Sequence, residues 1–180
     1  MALGSTLYTF QIDLSDVDRG VYEQLSLRVP QHPSESEVGL VARVLALCLE
    51  HEEGAALGGG VSDGEAPSVV VRDLTGRLLA WIDVGTPDHA RLHRASKAAD
   101  RVAVYCHKDP APYLRALSGH RVHQSERIGL YALDRALVAA LAAGLDRRNT
   151  WGLSRIDGLL YAEVGGASLS GPITTLAWPA

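Results

Sequence analysis

The chain has 180 residues and a formal net charge of -4, with 47% apolar, 21% charged and 6% aromatic side chains. This composition is typical of a globular protein, and a chain of this length can fold as one domain over residues 1–180 without disulfides or a metal. It excludes disordered, collagen-like and disulfide-stapled classes, and the acidic balance means that any affinity for nucleic acid must come from a local patch.

No segment of the sequence is long and apolar enough to cross a membrane. The longest nearly apolar run, residues 40–49, includes Arg43, whereas a bilayer span needs about 20 apolar residues. The first residues lack the basic and apolar regions of a secretory signal, and Cys48 and Cys106 are too far apart to suggest a disulfide framework. We therefore expect a cytoplasmic protein with no membrane partner.

The first quarter of the chain predicts a hairpin followed by a helix. Residues 7–14 and 21–29 alternate apolar and polar side chains around a polar turn, which is typical of two antiparallel strands. Apolar residues then recur at three- and four-residue spacing, which predicts an amphipathic helix from about residue 35 to 51. Ser34 and Glu37 predict a capping box at its start.

A loop and a second hairpin follow. Residues 54–67 are rich in glycine and acidic residues and show no periodicity, so we predict a loop. Residues 69–71 and 78–84 are strand-like, and Asp73 begins a turn between them.

The second half predicts strands that alternate with helices. Residues 86–88 combine a hydroxyl, a proline and an acid in a pattern typical of a helix start, and residues 101–106 then predict a strand. Residues 128–133 and 137–145 repeat this order as a strand and a helix, and the tail from Trp151 predicts two or three last strands. The right-handed crossover that this order requires predicts a partly parallel sheet.

The same order places the end of the strand that contains Asp83 beside the start of the first helix. Carboxylates at a strand end that face a helix start can bind a divalent cation, which orients a phosphate and activates water. The sequence therefore predicts a candidate metal site at Asp83.

Five segments, taken together, resemble the hallmarks of the YaeQ family. They occur in the family's order and span nearly the whole chain. They are Gln31-His32-Pro33-Ser34-Glu35, Arg43-Val44-Leu45-Ala46, Asp73-Leu74-Thr75-Gly76, Trp81-Ile82-Asp83-Val84-Gly85 and Pro87-Asp88. The resemblance implies a single α/β domain, a mixed β-sheet flanked by helices in a compact variant of the PD-(D/E)XK nuclease fold. It also implies a phosphodiesterase site that depends on Mg²⁺ or Mn²⁺.

The nuclease signature of that fold is incomplete in this sequence. It requires an Asp on one hairpin strand, an Asp or Glu on the next, and a Lys two residues later. Asp83 fits the second acid, but hairpin pairing places it opposite residues 66–68, none of which is acidic. Ser68 occupies the position of the first acid, and Gly85 occupies that of the lysine.

Four other charged residues are candidates for the missing roles. Glu65, just before the position of the first acid, and Glu35, in the first turn of the predicted helix, could bind a metal together with Asp83. Arg94, at the position of the family's usual lysine, and Lys97, one turn later, could bind phosphate. Because arginine does not lose its proton at neutral pH, proton transfer would fall to water or to Lys97.

Several of the polar residues also have a structural interpretation. Asp73 and Asp88 suit a turn and a helix start, and the basic run that begins at Arg91 suits an exposed helix face. His89 and His93 have helical spacing but lack a third ligand and the intervening Glu of a zinc-hydrolase helix, so zinc is not expected.

Two functional hypotheses follow. The first is a regulatory protein that binds nucleic acid or a protein partner through a degenerate active site, as the serine at 68 and the glycine at 85 favour. The alternative is a Mg²⁺-dependent nuclease that uses Asp83 and Glu35. For both of these acids a structural role also stays open, since an acid in a first turn stabilises the helix in any case.

Overall fold

The computed structural model describes residues 4–59 and 64–180, which form a mixed α/β fold. Within these ranges the strands are β1 (Thr6–Asp16), β2 (Val21–Gln31), β3 (Ala55–Leu57), β4 (Val69–Arg72), β5 (Leu78–Val84), β6 (Arg101–Cys106), β7 (Ile128–Leu133), β8 (Arg148–Ile156), β9 (Leu159–Val164) and β10 (Ala167–Leu176). The helices are α1 (Glu37–Leu49), α2 (His89–Ala98), α3 (Pro110–Leu117) and α4 (Arg135–Ala143). In this part of the chain no helix has the length and apolar character that a bilayer crossing requires.

All these strands belong to one sheet, in the order β2-β1-β8-β9-β10-β7-β6-β5-β4-β3. The pairs β1/β8, β5/β6 and β6/β7 are parallel, and the other neighbours are antiparallel. The predicted crossover from β5 through α2 to the parallel strand β6 is therefore confirmed.

Helices cover both faces of the sheet around β6. Side chains of successive strand residues point to opposite faces. Ala103 and Tyr105 accordingly join the larger core, with α1 and α4, whereas Val102 and Val104 join a smaller core with α2 and α3. A central parallel strand buried on both faces explains why residues 101–106 read as an almost continuous apolar run.

The first helix begins two residues later than predicted, and the predicted capping box of Ser34 and Glu37 was wrong. Ser36 is the N-cap, and its hydroxyl accepts a hydrogen bond from the backbone N–H of Gly39 at 3.1 Å. The Ser34 hydroxyl instead shares a hydrogen bond of 2.8 Å with His32 Nδ1. Ser34 therefore stabilises the turn before α1, not the helix itself.

The second hairpin is confirmed, and Asp73 stabilises its turn. Its carboxylate accepts hydrogen bonds from the backbone N–H groups of Thr75, at 2.8 Å, and Arg77, at 3.0 Å. The predicted loop at 54–67 was wrong in part, because β3 lies within it and pairs with β4. The sequence interpretation also missed α3, whose eight residues include two prolines.

Candidate functional site

A pocket of about 500 Å³ lies where β5 ends and α1 and α2 begin. We call it the carboxylate pocket and define it by the lining residues Glu35, Arg43, Asp83, Arg91 and Lys108. The structure thus brings the two predicted metal ligands, Glu35 and Asp83, to the same pocket. Their role as ligands stays a prediction.

Asp83 is buried in an ion pair with Arg91. Arg91 donates from Nε to Oδ2 of Asp83 at 2.7 Å and from Nη2 to Oδ1 at 2.9 Å. The Asp83 side chain is only 4% exposed, and a carboxylate in such a position is stable as an ion only when it is paired and hydrogen-bonded. The hydrogen bond to Asp83 in turn raises the pKa of Arg91.

Arg91 also holds the chain segment at residues 64–66. Its Nη1 donates to the carbonyl of Gly64 at 2.6 Å, and Nη2 donates to that of Ala66 at 2.8 Å. The guanidinium lies 5.3 Å from the ring centroid of Trp81, within cation–π range. Arg91 therefore ties residues 64–66 to β5 and α2.

Glu35 is held in the same way by Arg43. Arg43 donates from Nε to Oε1 and from Nη2 to Oε2, both at 3.0 Å, and also donates to the carbonyl of Pro30 at 2.9 Å. The Glu35 side chain is 6% exposed. Both candidate carboxylates consequently have a guanidinium across both of their oxygens.

The structure gives Ser68 and Gly85 local structural roles. The register that pairs Val69 with Ile82 places Ser68 next to Asp83, where its hydroxyl accepts from the backbone N–H of Val84 at 3.2 Å. Gly85 has a φ of 106° and donates its N–H to the carbonyl of Tyr105 at 2.9 Å. A lysine would be strained in this left-handed conformation.

The remaining candidates lie outside the lining of the carboxylate pocket. Arg94 Nη2 lies 3.5 Å from Glu65 Oε2, and the two side chains are 56% and 83% exposed. Lys97 is exposed in the last turn of α2. A set of three carboxylates with a phosphate-binding arginine is therefore not assembled in this arrangement, and the roles predicted for these residues stay predictions.

The histidines and cysteines give no metal site in the described ranges, where no three His, Cys, Asp or Glu side chains converge on a possible ion. The ring of His89 stacks on that of His120, with centroids 3.7 Å apart and planes at 7°. Cys48 and Cys106 are both buried and free, and burial raises the pKa of the Cys48 thiol to about 12. A thiol of that pKa is unreactive at neutral pH.

The sequence pattern places Arg91 one turn before Arg94 in the basic run of α2 but does not reveal that Arg91 pairs with Asp83. The signal was its place in the first turn of α2, since helical side chains point back toward the N-terminus and so toward the strand end. His107 and Lys108, which follow β6, were missed as well, although they lie at the carboxyl end of a parallel strand, where ligands of open α/β sheets bind.

The environment of this pocket favours an anion. The starts of α1 and α2 line it, and the positive end of a helix dipole attracts negative charge, although the N–H groups of Gly39 and Arg91 already donate to Ser36 Oγ at 3.1 Å and Asp88 Oδ1 at 2.8 Å. Lys108 is exposed at the rim of the pocket, whereas His107 is half-buried. The pKa of His107 is lowered mainly by burial and also by the charge of Lys108. The Nδ1 atom of His107 is buried and has no hydrogen-bond partner among the residues that the structure describes.

Comparisons with known proteins give a consistent result over most of the chain. The family model "YaeQ protein" matches residues 1–171. The proteins of Escherichia coli (strain K12) and Salmonella typhi that are described as "Uncharacterized protein YaeQ" are each 26% identical, over 89% of this chain and 90% of each relative. The crystal structure of YaeQ protein from Pseudomonas syringae has a TM-score of 0.86 at 27% identity and covers 96% of both chains. That from Xanthomonas axonopodis pv. citri has a TM-score of 0.82 at 26% identity and covers 97% of this chain and 99% of its own.

Proposed function

The chain belongs to the YaeQ family, and we propose that it binds nucleic acid at the carboxylate pocket without hydrolysing it. One observation carries the proposal: Asp83 and Glu35 each have both carboxylate oxygens hydrogen-bonded by an arginine. Each guanidinium cancels the charge of its partner, and hard divalent cations depend on anionic oxygen ligands. In this arrangement the donors do not fit a resident Mg²⁺ or Mn²⁺.

The proposed fold type is a nuclease-like one with a degenerate site. Its support is the hairpin of β4 and β5, which brings Ser68 next to Asp83, at the position where the signature has its first acid. The backbone at Gly85 disfavours the signature lysine. Two of the three signature side chains are thus replaced by groups with structural roles.

Binding of a phosphodiester is supported by the groups that remain available. Lys108 places an ammonium at the rim of the pocket, and the positive ends of the α1 and α2 dipoles favour a negative charge there. These contacts are local, as a chain with a net charge of -4 requires. A protein partner would not require groups that bind phosphate, so these groups support nucleic acid as the ligand.

The test combines a binding assay with a cleavage assay on the purified protein. Fluorescence anisotropy with labelled DNA and RNA should show binding that weakens as salt rises, because phosphate contacts release counterions. With Mg²⁺ or Mn²⁺ present, no cleavage product should form. Lys108→Ala should weaken binding, whereas Arg135→Ala, at the exposed start of α4, should not. Failure to bind any nucleic acid would overturn the proposal.

A second candidate function is a divalent-metal-dependent phosphodiesterase. It is favoured by one observation, that Glu35 and Asp83 line the same pocket. A cation could reach these carboxylates only after Arg43 or Arg91 leaves its partner. Cleavage by the wild-type protein that disappears in Asp83→Ala would establish this alternative and overturn the non-hydrolytic proposal.

A further inference from the structure

The positive charge of the chain is concentrated between residues 88 and 127. This segment has eight Lys and Arg residues against four Asp and Glu residues, so its formal charge is +4 in a chain whose net charge is -4. The rest of the chain therefore carries -8. The segment contains α2, β6 and α3, and its two helices pack over the smaller core on one face of the sheet. That face can have a positive potential although the whole protein is acidic.

Most of the acids in this segment have structural partners. Asp88 and Asp109 are the N-caps of α2 and α3, where each accepts a hydrogen bond from a backbone N–H, and Asp100 pairs with Arg77 of the hairpin turn. Both caps lie at the start of their helix, about 13 Å along α2 from its last turn. Glu126 is the remaining acid and is exposed. The last turn of α2 is therefore far from the two capping carboxylates.

The chain at residues 121–127 lies alongside α2. The backbone N–H of His123 donates to Nδ1 of His93 at 3.2 Å. One turn further along α2, Ser96 and Arg127 line the same small cleft. Cations of the two segments consequently belong to one continuous surface.

Three exposed cations lie on this surface without a negatively charged partner. They are Lys97, in the last turn of α2, and Arg121 and Arg127 on the adjoining segment. Arg127 donates only to the neutral Oε1 of Gln124, at 3.3 Å, and none of the three has an ion pair with a residue that the structure describes. We call this surface the basic strip and define it by Lys97, Arg121 and Arg127.

We propose that the basic strip binds the phosphate backbone of the nucleic acid whose contact at the carboxylate pocket is proposed above. This inference rests on that proposed function. The pocket lies at the start of α2 and Lys97 in its last turn, so the two sites lie at opposite ends of a helix about 15 Å long. A strand of B-DNA carries a phosphate every 3.4 Å of helix axis, so a path of this length matches about four phosphates.

The arrangement of the cations favours a polymer over a small anion. The three side chains come from separate places on two segments, and no lining of a described pocket contains all of them. One small anion could therefore meet only a part of the strip, whereas a row of regularly spaced charges can meet all of it. Nucleic acid presents such a row in any sequence, because every nucleotide has a phosphate.

The inference predicts how binding depends on salt. Each phosphate contact releases counterions, and the slope of log affinity against log salt steepens by about 0.9 per contact with a duplex and about 0.7 with a single strand. Loss of three contacts should therefore make the slope shallower by about three with a duplex and by about two with a single strand.

The experiment is fluorescence anisotropy at several salt concentrations with a labelled duplex, its single strand and an abasic single strand. The test variant combines Lys97→Gln, Arg121→Gln and Arg127→Gln and should show the shallower slope with all three probes, since the strip contacts no bases. The matched control combines Arg28→Gln, Arg135→Gln and Arg148→Gln, exposed positions on β2, α4 and β8. It lowers the net charge by the same three units and should keep the wild-type slope.

A test variant with the wild-type slope would overturn the inference, as would equal losses in the test and control variants, which would show an effect of net charge alone. Poly-L-glutamate that displaces the probes as well as an unlabelled abasic strand does would assign the strip to an acidic protein instead. Circular dichroism checks the fold, and if the triple variant unfolds, each single substitution should make the slope with a duplex shallower by about one.

The outcomes separate this inference from the proposed function. If Lys108→Ala weakens binding and the test variant does not, the basic strip fails and the proposed function stands. Absence of binding to every probe would overturn both.

Discussion

Arg91 lies across the carboxylate of Asp83 and donates to both of its oxygens, at 2.7 and 2.9 Å. A bidentate guanidinium–carboxylate pair is among the strongest side-chain contacts in proteins. The same guanidinium also holds the carbonyls of Gly64 and Ala66. The contact that neutralises the candidate metal ligand is therefore also the one that orders the adjoining chain segment.

Removal of Arg91 should destabilise the protein and increase its affinity for metal. Arg91→Ala leaves Asp83 buried without its partner, which we expect to cost about 2–3 kcal/mol in urea denaturation. It also leaves an unpaired carboxylate in the pocket, so calorimetry should show tighter Mn²⁺ binding than in the wild type. Arg77→Ala, which unpairs the exposed carboxylate of Asp100, should change neither quantity appreciably. Unchanged Mn²⁺ affinity in Arg91→Ala would contradict the masking role of Arg91.

A carboxylate at position 68 should restore part of the metal site. Ser68→Asp places a second acid next to Asp83, and the added charge should strengthen Mn²⁺ binding in calorimetry. Ser68→Asn is the matched control, because asparagine has nearly the same shape without the charge. If both variants bind Mn²⁺ equally, the hairpin register does not position residue 68 for a shared cation.

Restoration of the signature lysine should fail for a backbone reason. Gly85 has a φ of 106°, and a Cβ added there would meet nothing within 4 Å, so the penalty of a side chain is conformational and not steric. Gly85→Lys and Gly85→Ala should therefore lose similar stability, about 1–2 kcal/mol in thermal or urea unfolding. A lysine variant as stable as the wild type would show that the chain can relax at this position.

Local patterns predicted most of the sheet and its crossover because alternation and helical spacing are properties of neighbouring residues. The hairpin β1/β2, the strand β6 and the helix α4 all follow from such patterns. The three residues of β3 are too few to show an alternating pattern, and the strand is defined by its pairing with β4. The two prolines of α3 concealed a helix that is set by its N-cap, Asp109, and by its packing on β6.

The site was predicted in part for a similar reason. The convergence of Glu35 and Asp83 follows from the order of elements, which sequence patterns reveal. That each acid is paired with an arginine eight residues later depends on side-chain direction at two helices. Arg43 lies more than a turn inside α1 and off the apolar stripe of the predicted helix, so helical spacing predicts an exposed side chain there, whereas the structure buries it.

The titration of His107 tests the anion site independently of any enzyme assay. Burial, and to a lesser extent the charge of Lys108, holds its pKa below the ordinary value of 6.5. Because the unfolded chain takes up this proton at a higher pH than the folded chain, the contribution of His107 to stability is complete above pH 6.5 and is lost as the pH falls toward its folded pKa. His107→Gln should remove that part of the acid sensitivity in urea unfolding.

NMR titration of His107 tests the anion site directly. Lys108→Ala should raise the pKa of His107 toward 6.5. Added inorganic phosphate should raise the pKa of His107 in the wild type, because a bound anion stabilises the imidazolium. Arg135→Ala should leave the titration unchanged, and a His107 pKa that does not respond to phosphate would place the anion elsewhere.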